Sequence, residues 1–145
     1  MIDNPALSPA VEARIRESFA AQAMMTSLGA RLLEVAHGRV RIEAPILAGS
    51  RQQHGFAHAG LAFSIGDSAA GYAALSVMPE GHEVNTTEMK IHLLAPARSG
   101  VLRAEGRVLR PGRRLVIVEA DIHAVEEGRD THIARLIGTM IPLAP

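Results

Sequence analysis

The stretch His58-Ala59-Gly60-Leu61-Ala62-Phe63-Ser64-Ile65-Gly66-Asp67-Ser68-Ala69-Ala70-Gly71-Tyr72-Ala73-Ala74 decides how this chain reads. It stays apolar to Met78 and is stopped by Pro79 and Gly81, so it predicts one long helix over about 58–78. Glycine inside a helix costs about 1 kcal/mol relative to alanine. Gly66 and Gly71 carry that cost, and with Ala62, Ala69, Ala70 and Ala73 they let other backbone come close. The stretch is long enough to span a bilayer. Asp67 near its centre, and apolar members that are mostly Ala and Gly, point instead to a buried helix in a soluble protein.

The flanks predict strands. Before the helix, Ala30–Ala36 and Arg39–Ile46 read as two strands joined by a turn at His37-Gly38. Val40, Ile42 and Ala44 alternate with Arg39, Arg41 and Glu43, the pattern of a half-buried strand. After it, Glu83–Leu94 places Thr87, Met89, Ile91 and Leu93 on one face. Val101–Arg110 places Leu102, Ala104, Gly106 and Val108 inward, and Pro111-Gly112 turns the chain. Leu115–Val125 and His132–Ile141 follow. At the N-terminus, Ser8 and Pro9 open a helix that runs to about Met25, with Val11, Ile15, Phe19 and Ala23 on one face. Short connections imply an antiparallel sheet. A six-stranded sheet beside one long apolar helix must curl around it, which is an α+β architecture. The expected organisation is one domain over 1–145, with 1–26 as an N-terminal helical segment.

Composition removes several functions. With 145 residues, 48% hydrophobic and 21% charged, the chain is ordinary for a globular domain. Fifteen basic and fifteen acidic residues cancel, so no basic excess favours nucleic acid. With no cysteine, thiol nucleophiles, zinc–thiolate sites and disulfides are excluded. No metal ligand set is evident, since His54 and His58 stand four apart without companions. The start, Met1-Ile2-Asp3-Asn4-Pro5, lacks the basic and apolar runs of a secretory signal, and the expected location is the cytoplasm.

Asp67 stands out. A lone carboxylate in an apolar helix is expensive to bury and shifts its pKa or finds a partner. It lies either on a narrow exposed stripe with Ser64, Ser68 and Gly71, or against a cleft as a general base or nucleophile. The helix start supplies unpaired N–H groups that suit an oxyanion. Asp67 follows His58 by nine residues, roughly 13 Å along a helix axis. One straight helix cannot bring both to the same carbonyl, which predicts a site completed by a second chain.

The segment Gln52-Gln53-His54-Gly55-Phe56-Ala57-His58-Ala59-Gly60, followed by Leu61–Asp67, resembles the hot-dog-fold acyl-CoA thioesterases of the phenylacetate-degradation type. Thr86–Ala97 resembles the strand after their helix, and the order of elements agrees from about residue 27 to 142. The resemblance implies hydrolysis of an acyl- or aryl-CoA thioester with no required cofactor. It implies Asp67 as the catalytic carboxylate and the Ala59 N–H as oxyanion donor, where the family has glycine. It also matches Gly60 to the second glycine. His58 and Gln52 become orienting residues, and Thr86 a holder of the attacking water from the neighbouring subunit. A Thr that some members carry one turn after the carboxylate is Gly71 here. Arg110, Arg113 and Arg114 around the Pro111-Gly112 turn are candidates for the CoA phosphates. Phe56, Leu61, Phe63, Tyr72 and Met78 are candidate pocket walls. The expected partner is a second copy, as a homodimer or a dimer-of-dimers tetramer. The competing reading is a non-catalytic acyl-CoA binding module.

Overall fold

A computed structural model describes residues 5–145; residues 1–4 of the N-terminal segment lie outside the described residues. The order of elements is α1 (Pro9–Ala21), α2 (Ala23–Ser27), β1 (Arg31–Ala36), β2 (Arg39–Pro45), a single 3-10 turn (Ala48–Ser50), α3 (Ala59–Leu75), β3 (Glu83–Leu93), β4 (Val101–Pro111), β5 (Val116–Glu126) and β6 (Arg129–Leu143). The six strands form one sheet, in the order β1-β2-β4-β5-β6-β3, and every pairing is antiparallel. The sheet curls around α3, which packs against β2, β3, β4, β5 and β6. This is the hot-dog architecture that the sequence implies.

The small residues explain how closely helix and sheet approach. Ile65, Ala69, Ala70, Ala73 and Ala74 have no exposed surface, and opposite them Ile42, Leu102, Ala104, Val118, Ala120, Ile122 and Leu136 are equally buried. A Cβ built on Gly106 would collide with the Ala69 carbonyl group, so only glycine fits where β4 crosses the helix. Gly66 meets Leu136 and Ile122 in the same way, with a Cβ only 2.9 Å from the nearest Leu136 methyl.

Four expectations need correction. The N-terminal helix breaks at Gln22, whose backbone is extended (φ −75°, ψ 100°), so Ala23 leaves the buried face. Ser8 stands at the N-cap, but its side chain caps nothing; its carbonyl accepts from Glu12 N at 3.0 Å. The central helix ends at Leu75 rather than Met78. There Ser76 Oγ donates to Ala73 O (2.6 Å) and accepts from Gly38 N (2.7 Å), while Val77 and Met78 tighten into i→i−3 bonds. Finally, β3 does not form a hairpin with β4. It crosses to the far edge and pairs only with β6, leaving an eleven-residue edge strand.

A β-bulge in that strand sets the direction of Thr86. Thr86 pairs with Met140, but the next partner, Thr139, is taken by Glu88. Thr87 is the extra residue, exposed, with its hydroxyl donating to Thr139 O at 3.0 Å. Thr87 therefore does not share a face with Met89 and Ile91. The bulge shifts the alternation by one and turns Thr86 toward the helix. Leu93 keeps the face of Met89 and Ile91, opposite the buried Ala134, but is 60% exposed at the strand's end.

Candidate active site

Two of the cavities lie along α3. The first, about 480 Å³, lies at the start of α3 and is lined by Gln52, Phe56, His58, Ala59 and Ala62, by Leu93–Ala97, and by Leu102 and Ile133. Its walls are mostly hydrocarbon. The second, about 280 Å³, lies beside the middle of α3, where Asp67, Ser68, Gly71 and Tyr72 face Ser18, Gln22, Glu83, Val84, Asn85 and Thr86.

At the first cavity, the helix start is organised by His58. It has the extended backbone of an N-cap residue, and its Nδ1 accepts from Gly60 N at 2.8 Å. The Gly60 amide is thus consumed by the cap. The Leu61 amide donates to His58 O at 3.0 Å. Among the described residues the Ala59 amide has no partner, so it is the donor left over at the positive end of the helix dipole. Gln52 shapes the preceding loop. Its backbone pairs with Phe56 (2.9 Å) and Gly55 (3.0 Å), and its side-chain Oε1 accepts from His54 N at 2.5 Å. Gly55 takes φ +87°, a conformation that a side chain would strain. Arg98 stacks its guanidinium over the Phe56 ring at 4.2 Å.

At the second cavity, Asp67 is half-buried, and its Oδ1 accepts from Thr86 Oγ1 at 2.8 Å. Burial pushes the Asp67 carboxyl above the ordinary aspartate value, and the Thr86 hydrogen bond pulls it partly back. Both readings of Asp67 hold something true: it shares a stripe with Ser68 and Gly71, and that stripe faces a cavity. Thr86 serves Asp67 of its own chain, where the resemblance expected service from the neighbouring subunit.

The two cavities do not merge within one chain, as the helix arithmetic requires. Of the predicted residues, Gln52, His58 and Ala59 gather at one cavity, Asp67 and Thr86 at the other. Gly60 sits behind the cap. Arg110, Arg113 and Arg114 stand apart at the β4–β5 turn, exposed, with no ion-pair partner among the described residues. Most other arginines are engaged. Arg31, Arg39, Arg41, Arg103, Arg107 and Arg135 interlock with Glu34, Glu43, Glu105, Glu119 and Asp121 across the outer face of the sheet. Of the candidate walls, Phe56 lines the first cavity and Tyr72 the second, while Leu61 and Met78, the latter beyond the helix end, belong to the core cluster and Phe63 packs against it. Sequence reasoning missed Gln22 and Ser18, because the N-terminal helix carries no motif that announces where it docks, and Asn85, an ordinary polar residue of β3. Among the described residues no group of three or more His, Asp or Glu is placed to hold a metal ion, and no helix is long and apolar enough to cross a membrane.

Known proteins resemble this chain in sequence and fold. Residues 54–130, which hold most of the first cavity's lining, α3 and β3 to β5, match the model of the thioesterase superfamily. A thioesterase family protein from Silicibacter pomeroyi is 38% identical, with a TM-score of 0.90 over 93% of this chain and 99% of that one. The PaaI protein of the E. coli phenylacetic acid degradation operon shares the fold at 21% identity, with a TM-score of 0.84 over 96% of this chain and 97% of that one. A Saccharolobus solfataricus protein with a provisional esterase assignment, SSO2140, is 33% identical over 65% of this chain; the match spans 66% of its own length. A second from the same organism, SSO1253, is 32% identical over 60% of this chain and 55% of its own length. On the family match, together with the full-length likeness to the Silicibacter protein, this chain belongs to the thioesterase superfamily.

Proposed function

We propose that this protein hydrolyses acyl-CoA thioesters at a site shared by two copies of the chain. The observation that carries the reading is Asp67, a carboxylate held by Thr86 at 2.8 Å on the wall of a cavity, inside an otherwise apolar helix. A carboxylate with a raised pKa is suited to take a proton near neutral pH.

The two half-sites lie at opposite ends of β3. Thr86 is near its start and Leu93 near its end, about 23 Å apart at ~3.3 Å per residue. The strand's outer edge has no neighbour in the sheet. The other edge strand, β1, is only six residues long and packs against α1. If β3 pairs antiparallel with its copy about a point between Met89 and Lys90, Thr86 of one chain stands opposite Leu93 of the other. The Asp67 cavity of each chain then adjoins the helix-start cavity of its partner. Such a symmetric pairing also removes the exposed edge. It accounts for a homodimer, to which further pairing of dimers would add a tetramer.

In this arrangement the thioester oxygen lies at the free Ala59 amide of one chain. Asp67 of the other accepts a proton from water as the water oxygen bonds to the carbonyl carbon. The tetrahedral oxyanion collapses, the carbon–sulfur bond breaks, and the CoA thiolate takes the proton back from Asp67. Direct attack by Asp67 is the other route open to the same carboxylate. Neither route requires a cofactor. Arg110, Arg113 and Arg114, without ion-pair partners among the described residues, are cations available to the CoA phosphates. The test is a hydrolysis screen over acyl- and aryl-CoA thioesters with the wild type beside Asp67→Asn. We expect kcat to fall about 100-fold or more in the variant. Undiminished turnover by Asp67→Asn, or binding without turnover by the wild type, contradicts the proposal.

A further inference from the structure

Two residues that line the Asp67 cavity, Ser18 and Gln22, come from a segment that precedes the matched thioesterase region. Gln22 stands at the break between α1 and α2, and the break aims its side chain at α3. Its Nε2 donates to the Tyr72 hydroxyl at 2.6 Å, and its Oε1 accepts a longer bond from Ser68 Oγ at 3.4 Å. Ser18 Oγ lies 3.1 Å from the same Tyr72 hydroxyl, and the Tyr72 ring meets Phe19 edge-on at 6.3 Å. The N-terminal helix is therefore fastened to α3 one turn beyond Asp67, and Gln22 is part of the cavity wall.

The chemistry of the cavity indicates which part of a substrate enters. Its formal charges are the carboxylates of Asp67 and Glu83, the latter paired at 2.5 Å with Arg14. Among the described residues no cation lines it, so it does not suit the polyanionic end of CoA, and in the proposed site the uncharged acyl group is the part left to enter it. A hydrocarbon chain that reached Gln22 would cover an amide whose second N–H then has no acceptor. Gly71 lines the same cavity. Outside its own helix, a Cβ there would meet only the Met140 methyl among the described residues, at 3.8 Å, so a larger side chain has room to enter.

We propose that Gln22, held by Tyr72, is the end wall of the acyl pocket and that Gly71 is its open side, so that these two residues set the longest acyl group accepted. This rests on the thioesterase reading. It is tested with straight-chain acyl-CoA thioesters from acetyl to lauroyl, measuring for each protein the ratio of kcat/KM between successive lengths. That ratio is insensitive to the fraction of protein folded. The wild type should show a drop of about tenfold or more at one chain length. Gln22→Ala should move the drop to longer chains, Tyr72→Phe should move it the same way by less, and Gly71→Val should move it to shorter ones. An unmoved drop in Gln22→Ala, or a uniform change at all lengths, overturns the inference while leaving hydrolysis intact. If the wild type hydrolyses none of the series or any aryl-CoA, the thioesterase reading itself fails.

Discussion

The start and the middle of α3 do opposite things with the same helix. The start, at Ala59, offers a backbone amide beside hydrocarbon walls. The middle, at Asp67, offers a carboxylate among hydroxyls and amides. In the proposed mechanism the first depends on what the backbone leaves unpaired, so an alanine should serve as well as a glycine. The second depends on one side chain and on the Thr86 hydroxyl that a bulge turns toward it. That mechanism therefore expects one half-site to tolerate side-chain change and the other not to.

Substitution at the carboxylate is accordingly expected to have the largest effect, a loss of about 100-fold or more in kcat for Asp67→Asn. Ala59→Pro attacks the other half-site through the backbone. Proline is accepted at the first helical position, and the extended His58 backbone (φ −67°, ψ 142°) suits a residue before proline, so the fold should survive. The free N–H is nevertheless removed. We expect kcat to fall about 100-fold with thermal stability nearly unchanged, whereas Ala59→Gly should remain active. Kinetics and a melting curve on the three proteins decide this.

The Asp67–Thr86 contact makes a smaller, directional prediction. The Thr86 hydrogen bond favours the ionised carboxylate, so Thr86→Val leaves burial unopposed and raises the Asp67 pKa further. Activity that needs the carboxylate is lost as pH falls through that pKa. The acid limb of kcat against pH should thus move to higher pH in the variant, and an unmoved limb would separate Asp67 from the rate.

The smallest effect concerns stability. Because the folded state raises the Asp67 pKa, it favours the protonated form. That contribution to stability is complete below the unfolded pKa and is lost as pH rises through the folded one. Asp67→Asn removes the charge, so its melting temperature relative to wild type should be higher at neutral pH, and the gain should shrink in acid. A residue that costs stability is the pattern the proposed role of Asp67 leads one to expect.

Much of this was legible in the sequence. Small residues every third or fourth position over 58–78 announce a helix that something must approach closely, and Gly106 is where β4 does so. Asp67 was legible because a charge interrupts that pattern. The distance between Asp67 and the helix start followed from helix rise alone. The strand order was not legible, since the 94–100 connection looks like any short turn while the chain crosses to the other edge. Nor was the bulge: alternation counts residues, and one extra residue at Thr87 inverts the count, exchanging Thr87 for Thr86. The role of Gln22 was hidden because a helix break at an ordinary polar residue carries no signature.

The central claim is that one site draws Asp67 and the Ala59 amide from different chains. Mixing the Asp67→Asn and Ala59→Pro variants, by co-refolding equal amounts, tests it directly. In the mixed dimer, the chain carrying Ala59→Pro supplies an intact Asp67 to the intact helix start of the chain carrying Asp67→Asn. Half the dimers then hold one working site out of two, so activity should rise from near zero to about a quarter of wild type. Activity that stays at the level of the separate variants would show that each site is built within one chain, and the account would be wrong.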